Sequence, residues 1–261
     1  MAWLAGIEGV LLDVDGTLID GDRAVPGAAE ALERLRRAGV PFRLTTNTTR
    51  RPRREIAAVL RRAGLRVSEG EILAPSTLAR HHILESGRPR AALLVPAACR
   101  VDFEGIDEVE ERLDWVVVGD LGREFTWERL NRAFGWIRGG AELLALHKNR
   151  SWHAGPEVGL ILDAGPFVAA LEYASGAVAR VVGKPSPEFF RLALAEIDVA
   201  PSRVLVVGDD PENDCGGGQG VGCRGAVVRT GKFDAALLAR RPTAPDLILD
   251  SVAELDPPVK P

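Results

Sequence analysis

Short aliphatic runs alternate along this chain with amphipathic stretches that open on proline and close on glycine. That alternation constrains the fold more than any other feature. "GVLLDV" (9–14) reads as a strand. The stretch "PGAAEALERLRRAG" follows it, with Pro26 suited to a first helical turn, Gly39 to a C-terminal stop, and Leu32 and Leu35 on one face. "VPFRLTT" is the next strand, and "RPRREIAAVLRRAG" repeats the design with Ile56, Val59, Leu60 and Ala63 on its apolar side. "EILAPS" and "STLARHHILESG" give a third strand and a third helix, the latter carrying His81 and His82, which read as structural. Near the end come "RVLVVGDD" (203–210), "GAVVRT" (225–230) and "DLILD" (246–250). Strand–helix alternation of this kind predicts an α/β fold, a Rossmann-like parallel sheet with helices on both faces. Ligands of such sheets sit beyond the carboxyl ends of the strands, where the strand order reverses.

The middle of the chain is a second set of such units: "AALLVP", "LDWVVVGD", a helix "TWERLNRAFGWIRGG" with Leu130, Phe134 and Ile137 on one face, "AELLALH", "VGLILD", and a helix "GPFVAALEYASG". Gly-Arg-Pro at 87–89 and Gly-Lys-Pro at 183–185 are plausible hinges. A length of 261 residues accommodates a domain of usual size plus an insert. The expected division is a core in two pieces, 1–87 and 182–261, with an inserted α/β domain over 88–181.

Composition excludes several classes. The 33 basic residues are interleaved with 37 acidic ones, leaving a net charge of −4. "RLRR", "RRPRR" and Arg61–Arg62 therefore read as solvated helix faces, and no nucleic-acid partner is expected. Cys99, Cys215 and Cys223 form an odd set without C-x-x-C, which argues against a disulfide framework or structural zinc and fits a reducing cytoplasm. The N-terminal "MAWLAGIEGVLLDVDG" lacks a basic leader region and carries Glu8 within its apolar stretch, so it reads as a first strand and not a signal peptide. No run approaches the ~18 apolar residues of a membrane span.

Four expected strand ends carry unusual polar residues: Asp13-Val14-Asp15-Gly16-Thr17, Thr45-Thr46-Asn47-Thr48-Thr49, Gly183-Lys184-Pro185, and Gly208-Asp209-Asp210 with Asp214. Taken singly, each has a plain structural explanation as turn, helix cap or surface loop. A parallel sheet would bring all four to one edge, where they supply carboxylates, hydroxyls and one ammonium. Asp13 and Asp15 alone, about 6 Å apart at an effective dielectric near 20, would repel by roughly 3 kcal/mol. A divalent cation and a phosphoryl group would offset and use that charge, and hard oxygen donors suit Mg²⁺. The Gly-rich "CGGGQGVGC" after Asp214 lacks dinucleotide-binding spacing and reads as close backbone packing, with Cys215 and Cys223 as small core residues.

"DVDGT", "TTNTT", "VGKPSPEFF" and "VGDDPEND" resemble, in order, the four signature motifs of the haloacid dehalogenase (HAD) superfamily. The insert resembles the large α/β cap domain of the NagD-like subclass. "NTTR", "GPFVAALEYA", "VVGKP" and "RTGKF" look closest to its phospholysine phosphohistidine inorganic pyrophosphate phosphatase branch. The resemblance implies a phosphatase with Asp13 as nucleophile, forming an aspartyl-phosphate, and Asp15 as general acid and then base. Asp15 also separates a phosphatase from a dehalogenase, which has no need of a second acid. Thr46 and Asn47 would hold phosphoryl oxygens, and Lys184 would neutralise charge in the transition state. Asp13, Asp209 and the backbone carbonyl of Asp15 would ligate Mg²⁺, while Asp214 would orient water around the metal. Asp210 is left open between a supporting role near the metal and loop material.

The same resemblance places "ALHKNR" (145–150) and "LDAGPF" (162–167) in cap segments that face the phosphate site. His147, Lys148, Asn149 and Asp163 are therefore candidates for substrate contact, against the alternative of loop surface and a satisfied buried histidine. The expected substrate is a small phosphorylated molecule, whether phosphomonoester, phosphoramidate or pyrophosphate. Cap-mediated homodimers are common in the subclass, so one is allowed here. Two other classes compete: a phospho-accepting signalling module and a catalytically silent binding protein on the same fold. Receivers of the first kind order their acidic residues, hydroxyl and lysine differently and carry no cap, and retention of both Asp13 and Asp15 weighs against the second.

Overall fold

The computed structural model describes residues 3, 5–153 and 158–257. Within the N-terminal stretch assigned above to a first strand, residues 1, 2 and 4 lie outside the described residues. The chain divides into two compact units, one of Met1–Thr46, Arg53–Leu73 and Lys184–Pro261, the other of Asn47–Pro52 and Ala74–Gly183.

The first unit is built on six parallel strands: Gly9–Asp13, Phe42–Thr45, Ile72–Leu73, Val204–Gly208, Arg224–Val228 and Leu247–Leu249. Numbered along the chain, they lie across the sheet in the order sixth, fifth, fourth, first, second, third. This is the Rossmann order, and its reversal point falls between the first and fourth strands. Every residue of these two central strands is buried. They are continuous apolar runs because helices cover both faces of a parallel sheet. Leu12 lies opposite Val207 on one side and Leu44 on the other, and Asp13 lies opposite Thr45. The register thus sets Asp13 and Asp209 at the ends of neighbouring strands.

Helix Ala28–Arg37 buries Ala28, Ala31, Leu32 and Leu35, the i, i+3, i+4, i+7 stripe of an amphipathic helix. Arg53–Arg62 buries Ile56, Ala57, Val59 and Leu60, with Ala63 partly buried just beyond it. The prolines differ from expectation. Pro26 stands outside the helix because Gly27 takes the N-cap position, and Pro52 precedes the first helical residue, Arg53. Pro75 and Pro187 do open their helices, Pro75–Glu85 and Pro187–Ile197, from within the first turn.

The second unit has its own five-stranded parallel sheet, in the order Arg180–Val181, Glu142–Ala145, Trp115–Val118, Arg90–Leu94, Asp107–Glu108. Helices Pro75–Glu85, Trp127–Arg138 and Ala164–Ser175 accompany it. Val116, Val118, Leu143, Ala145, Ile137, Val168 and Leu171 share one core, with Leu130 and Phe134 partly buried against it. The expected strand "VGLILD" does not join that sheet. Leu160–Leu162 pairs antiparallel with Ser151–His153 in a separate hairpin, leaving Leu160 and Leu162 exposed. Among the described residues, no helix is long and apolar enough to cross a membrane.

Because Leu12 is wholly buried at the centre of the first sheet, Leu12→Ala should lower the stability of that unit by about 3 kcal/mol. Urea unfolding followed by tryptophan fluorescence and circular dichroism checks this, and it should leave any separate transition of the second unit in place.

Candidate active site

The first and fourth strands end in acid, and a lysine ties them together. Asp13 is the last residue of its strand, and Asp209 follows Gly208 directly. Asp214 lies in the helical turn Pro211–Gly216 and folds back over the strand end, where its Oδ2 accepts from the Asp210 amide at 3.2 Å. Gly208 makes this possible, since a Cβ there would stand 2.2 Å from Asp214 Oδ2. Lys184, the first residue of the returning chain, places Nζ 2.5 Å from Asp13 Oδ1 and 2.6 Å from Asp214 Oδ1. All four side chains are buried. Thr17 Oγ1 adds a longer contact to Asp13 Oδ2, at 3.4 Å.

Three buried carboxylates against one ammonium leave an excess of negative charge. Burial pushes the Asp13 and Asp214 carboxyls above the usual range; Asp214 adds to the effect at Asp13, and Lys184 opposes it at both. Asp209 is pushed up to about 6, again by burial, with the Lys232 amide opposing and Asp214 reinforcing. Burial alone would depress the Lys184 pKa. Asp13 and Asp214 reverse that and hold it above the ordinary lysine value, so Lys184 stays charged. Asp13, Asp209 and Asp214 offer oxygen atoms all within 4.8 Å of one another. A set of hard, anionic oxygens without nitrogen or sulfur fits a hard divalent cation, whose charge would remove the excess.

Asp15 is exposed, and its Oδ2 accepts from Thr46 Oγ1 at 3.3 Å. Thr45 is turned inward instead, donating to the Leu12 carbonyl at 3.3 Å. Asn47 falls in the second compact unit. Asp210, whose role the sequence left open, is a helix cap: Oδ1 accepts from the amides of Glu212 and Asn213, both at 2.9 Å. The glycine tract is close packing, for a Cβ on Gly217 would meet Phe190 at 2.3 Å and one on Gly218 would meet Val206 at 2.5 Å. Cys215 and Cys223 are buried, and desolvation pushes their thiols up to about 11 and about 12. They are core residues and not nucleophiles. Sequence reasoning included Thr17 in the first motif without a role of its own and missed the backbone of Lys232, which donates to Asp209 Oδ2 at 2.5 Å.

The second unit holds a buried polar cluster of its own. The Asn149 amide donates to His147 Nδ1 at 3.4 Å. Nε2 faces Thr49 Oγ1 at 3.1 Å and Asp163 Oδ1 at 3.6 Å. Thr49 Oγ1 also accepts from the Asp120 amide at 2.9 Å, and Arg50 pairs with Asp120 at 3.4 Å. Lys148 is bridged to Glu172 at 2.7 Å.

The chain is similar to known proteins over most of its length. A family model described as haloacid dehalogenase-like hydrolase matches residues 10–107, and one described as HAD-hydrolase-like matches residues 181–255. The phospholysine phosphohistidine inorganic pyrophosphate phosphatase of Rattus norvegicus is 42% identical, covering 89% of this chain and 87% of its own. Haloacid dehalogenase-like hydrolase domain-containing protein 2 of Homo sapiens is also 42% identical, over 90% of this chain and 89% of its own. Among solved structures, 4-nitrophenylphosphatase from Thermotoga maritima superposes with a TM-score of 0.89 at 30% identity, covering 98% of both chains. NagD from E. coli K-12 gives 0.88 at 26% identity, over 96% of this chain and 98% of its own. The chain belongs to the haloacid dehalogenase-like hydrolases, in their NagD-like branch, and is a HAD-type phosphatase.

Proposed function

We propose that this phosphatase acts on small phosphorylated molecules, is Mg²⁺-dependent, and works through an aspartyl-phosphate on Asp13. The observation that carries the reading is the buried Asp13 carboxylate at the sheet's reversal point, in contact with Lys184 and grouped with Asp209 and Asp214. In the first step an Asp13 oxygen bonds to phosphorus while the bond to the leaving oxygen or nitrogen breaks, and Asp15 gives the leaving atom its proton. In the second step Asp15, now a carboxylate, takes a proton from water. That water attacks phosphorus, phosphate departs, and the Asp13 carboxylate is regenerated. The exposure of Asp15 beside buried Asp13 supports this division, since the proton carrier must exchange with solvent and the nucleophile must not. Thr46 and Asn47 bind phosphoryl oxygens, and Lys184 balances the charge gathered there.

Asp13, Asp209 and the backbone carbonyl of Asp15 would hold Mg²⁺, with Asp214 supporting it, and the ion would supply electrostatic stabilisation of the phosphoryl group. We assign the inserted residues 88–181 to substrate selection, the role of the cap in the resembling subclass. Similarity to a phospholysine phosphohistidine inorganic pyrophosphate phosphatase supports phosphoramidates and pyrophosphate beside phosphomonoesters as substrates. Three buried cysteine thiols support action in the cytoplasm.

Purified protein should release phosphate from at least one of a panel of phosphomonoesters, pyrophosphate and N-phosphorylated amino acids. EDTA should abolish the release and excess Mg²⁺ restore it; hydrolysis that survives chelation would sink the metal reading. Asp13→Asn should show no turnover. Asp15→Asn should lose 10²- to 10⁴-fold in turnover, roughly what a general acid–base contributes. With an aryl phosphate, whose leaving group needs no proton, Asp15→Asn should still accumulate phosphorylated protein detectable by intact mass.

A further inference from the structure

The fifth strand of the first unit runs out through Arg229-Thr230-Gly231-Lys232, a stretch outside the four strand-end motifs. Strand Arg224–Val228 lies beside Val204–Gly208 with Val227 opposite Gly208, so the loop leaving it passes next to Asp209. Three contacts hold it there. The Lys232 amide donates to Asp209 Oδ2 at 2.5 Å. Thr230 Oγ1 donates to the Gly16 carbonyl at 2.5 Å. Gly231 and Gly16 meet back to back: a Cβ on Gly231 would stand 2.6 Å from Gly16 Cα, and a Cβ on either glycine would stand 2.0 Å from Asp209 Oδ2. Both glycines have positive φ, +62° and +85°, which side-chain-bearing residues seldom adopt. The Asp209 carboxylate therefore lies in a slot between two backbones, one following the first strand and one following the fifth.

We infer that Thr230, Gly231 and Lys232 form a backbone clamp that positions Asp209 for the divalent cation. The inference rests on the metal-site reading above. A carboxylate on a free side chain must lose rotamer freedom when it ligates an ion, and one already wedged and hydrogen-bonded loses little. The clamp also reaches both acidic loops at once. It grips Asp209 through Lys232 N and the Asp13–Thr17 loop through the Gly16 carbonyl, so the two sources of metal ligands are held in mutual register. Thr230 is a positioning residue through its hydroxyl, Gly231 through its missing side chain, and Lys232 through its amide.

Calorimetric titration of the substrate-free protein with MgCl₂, and with MnCl₂ as a second probe, tests the clamp without reference to turnover. Thr230→Val removes the hydroxyl at nearly constant shape, and Gly231→Ala places a methyl group in the slot. Each should weaken cation binding about tenfold or more, the usual cost of losing a group that orients a metal ligand. Thr230→Ser, which keeps the hydroxyl, should restore affinity to within about twofold of the parent, where a packing role alone would leave it as weak as Thr230→Val. In a phosphate-release assay the half-saturating Mg²⁺ concentration should rise by the same factor as the dissociation constant. Parent-like affinity in Thr230→Val, in protein whose circular dichroism matches the parent, would overturn the clamp while leaving the metal reading intact. Absence of cation binding by the parent protein would overturn both.

Discussion

One buried ammonium organises the catalytic unit. Lys184 lies between Asp13 and Asp214, so it joins the end of the first strand to the loop after the fourth. Removing it would leave two buried carboxylates facing each other without compensation, a far larger cost than the loss of a surface pair. Even with it in place the charge does not balance, since Asp209 is buried beside them. The upward displacement of all three carboxyls has burial as its largest cause; repulsion from Asp214 adds to it at Asp13 and Asp209, and repulsion from Asp210 adds to it at Asp214. A site assembled with surplus negative charge is unfavourable for folding and favourable for capturing a cation. Folding retains it because sheet pairing and core burial on both sides already determine where these residues lie.

Much of this was legible in the sequence because it depends on period and position. An apolar run of strand length ending in Asp can be read residue by residue, and so can a Pro–Gly bounded helix. The parallel topology then brings the strand ends together without any knowledge of contacts. What escaped was of another kind. The Lys232 amide is a backbone donor, and every residue except proline carries one, so its residue type gives no sign of it. Thr17 and Thr230 act through single hydroxyls whose partners are set by loop geometry. Proline suits a first helical turn, yet at Pro26 the following Gly27 serves as the cap and the helix starts two residues later. Leu160–Leu162 lies outside the larger sheet; an apolar triplet reads as a sheet strand whether or not a sheet receives it.

His147 is the centre of a buried polar cluster within the second unit. Its Nδ1 accepts from Asn149 and its Nε2 faces Thr49 and Asp163, so both ring nitrogens are directed within the second unit. Asp163 also caps helix Ala164–Ser175 by accepting from its first amide at 2.7 Å. A Cβ on Gly165 would stand 2.4 Å from the Asn149 carbonyl, so the loop 147–150 and the start of that helix are in direct backbone contact. Buried polar networks of this type are costly when incomplete and rigid when satisfied. This one ties the loop carrying exposed Lys148 and half-buried Asn149 to the N-terminus of that helix.

The separation of Asp13 and Lys184 by 171 residues raises the question of how a site divided along the chain closes at all. Loop-closure entropy grows only with the logarithm of length, at about 0.6 kcal/mol for each doubling. Carrying the second unit between the two halves of the core therefore adds only on the order of 1 kcal/mol even if it were unstructured. Once folded it adds less. A Cβ on Gly183 would stand 3.1 Å from Pro75 Cγ, so the insert's entry and exit are neighbours within that unit. Its own parallel sheet closes the long loop. The core can then treat the insert as a short connection, which is why its first and fourth strands pair as neighbours across so long an interruption.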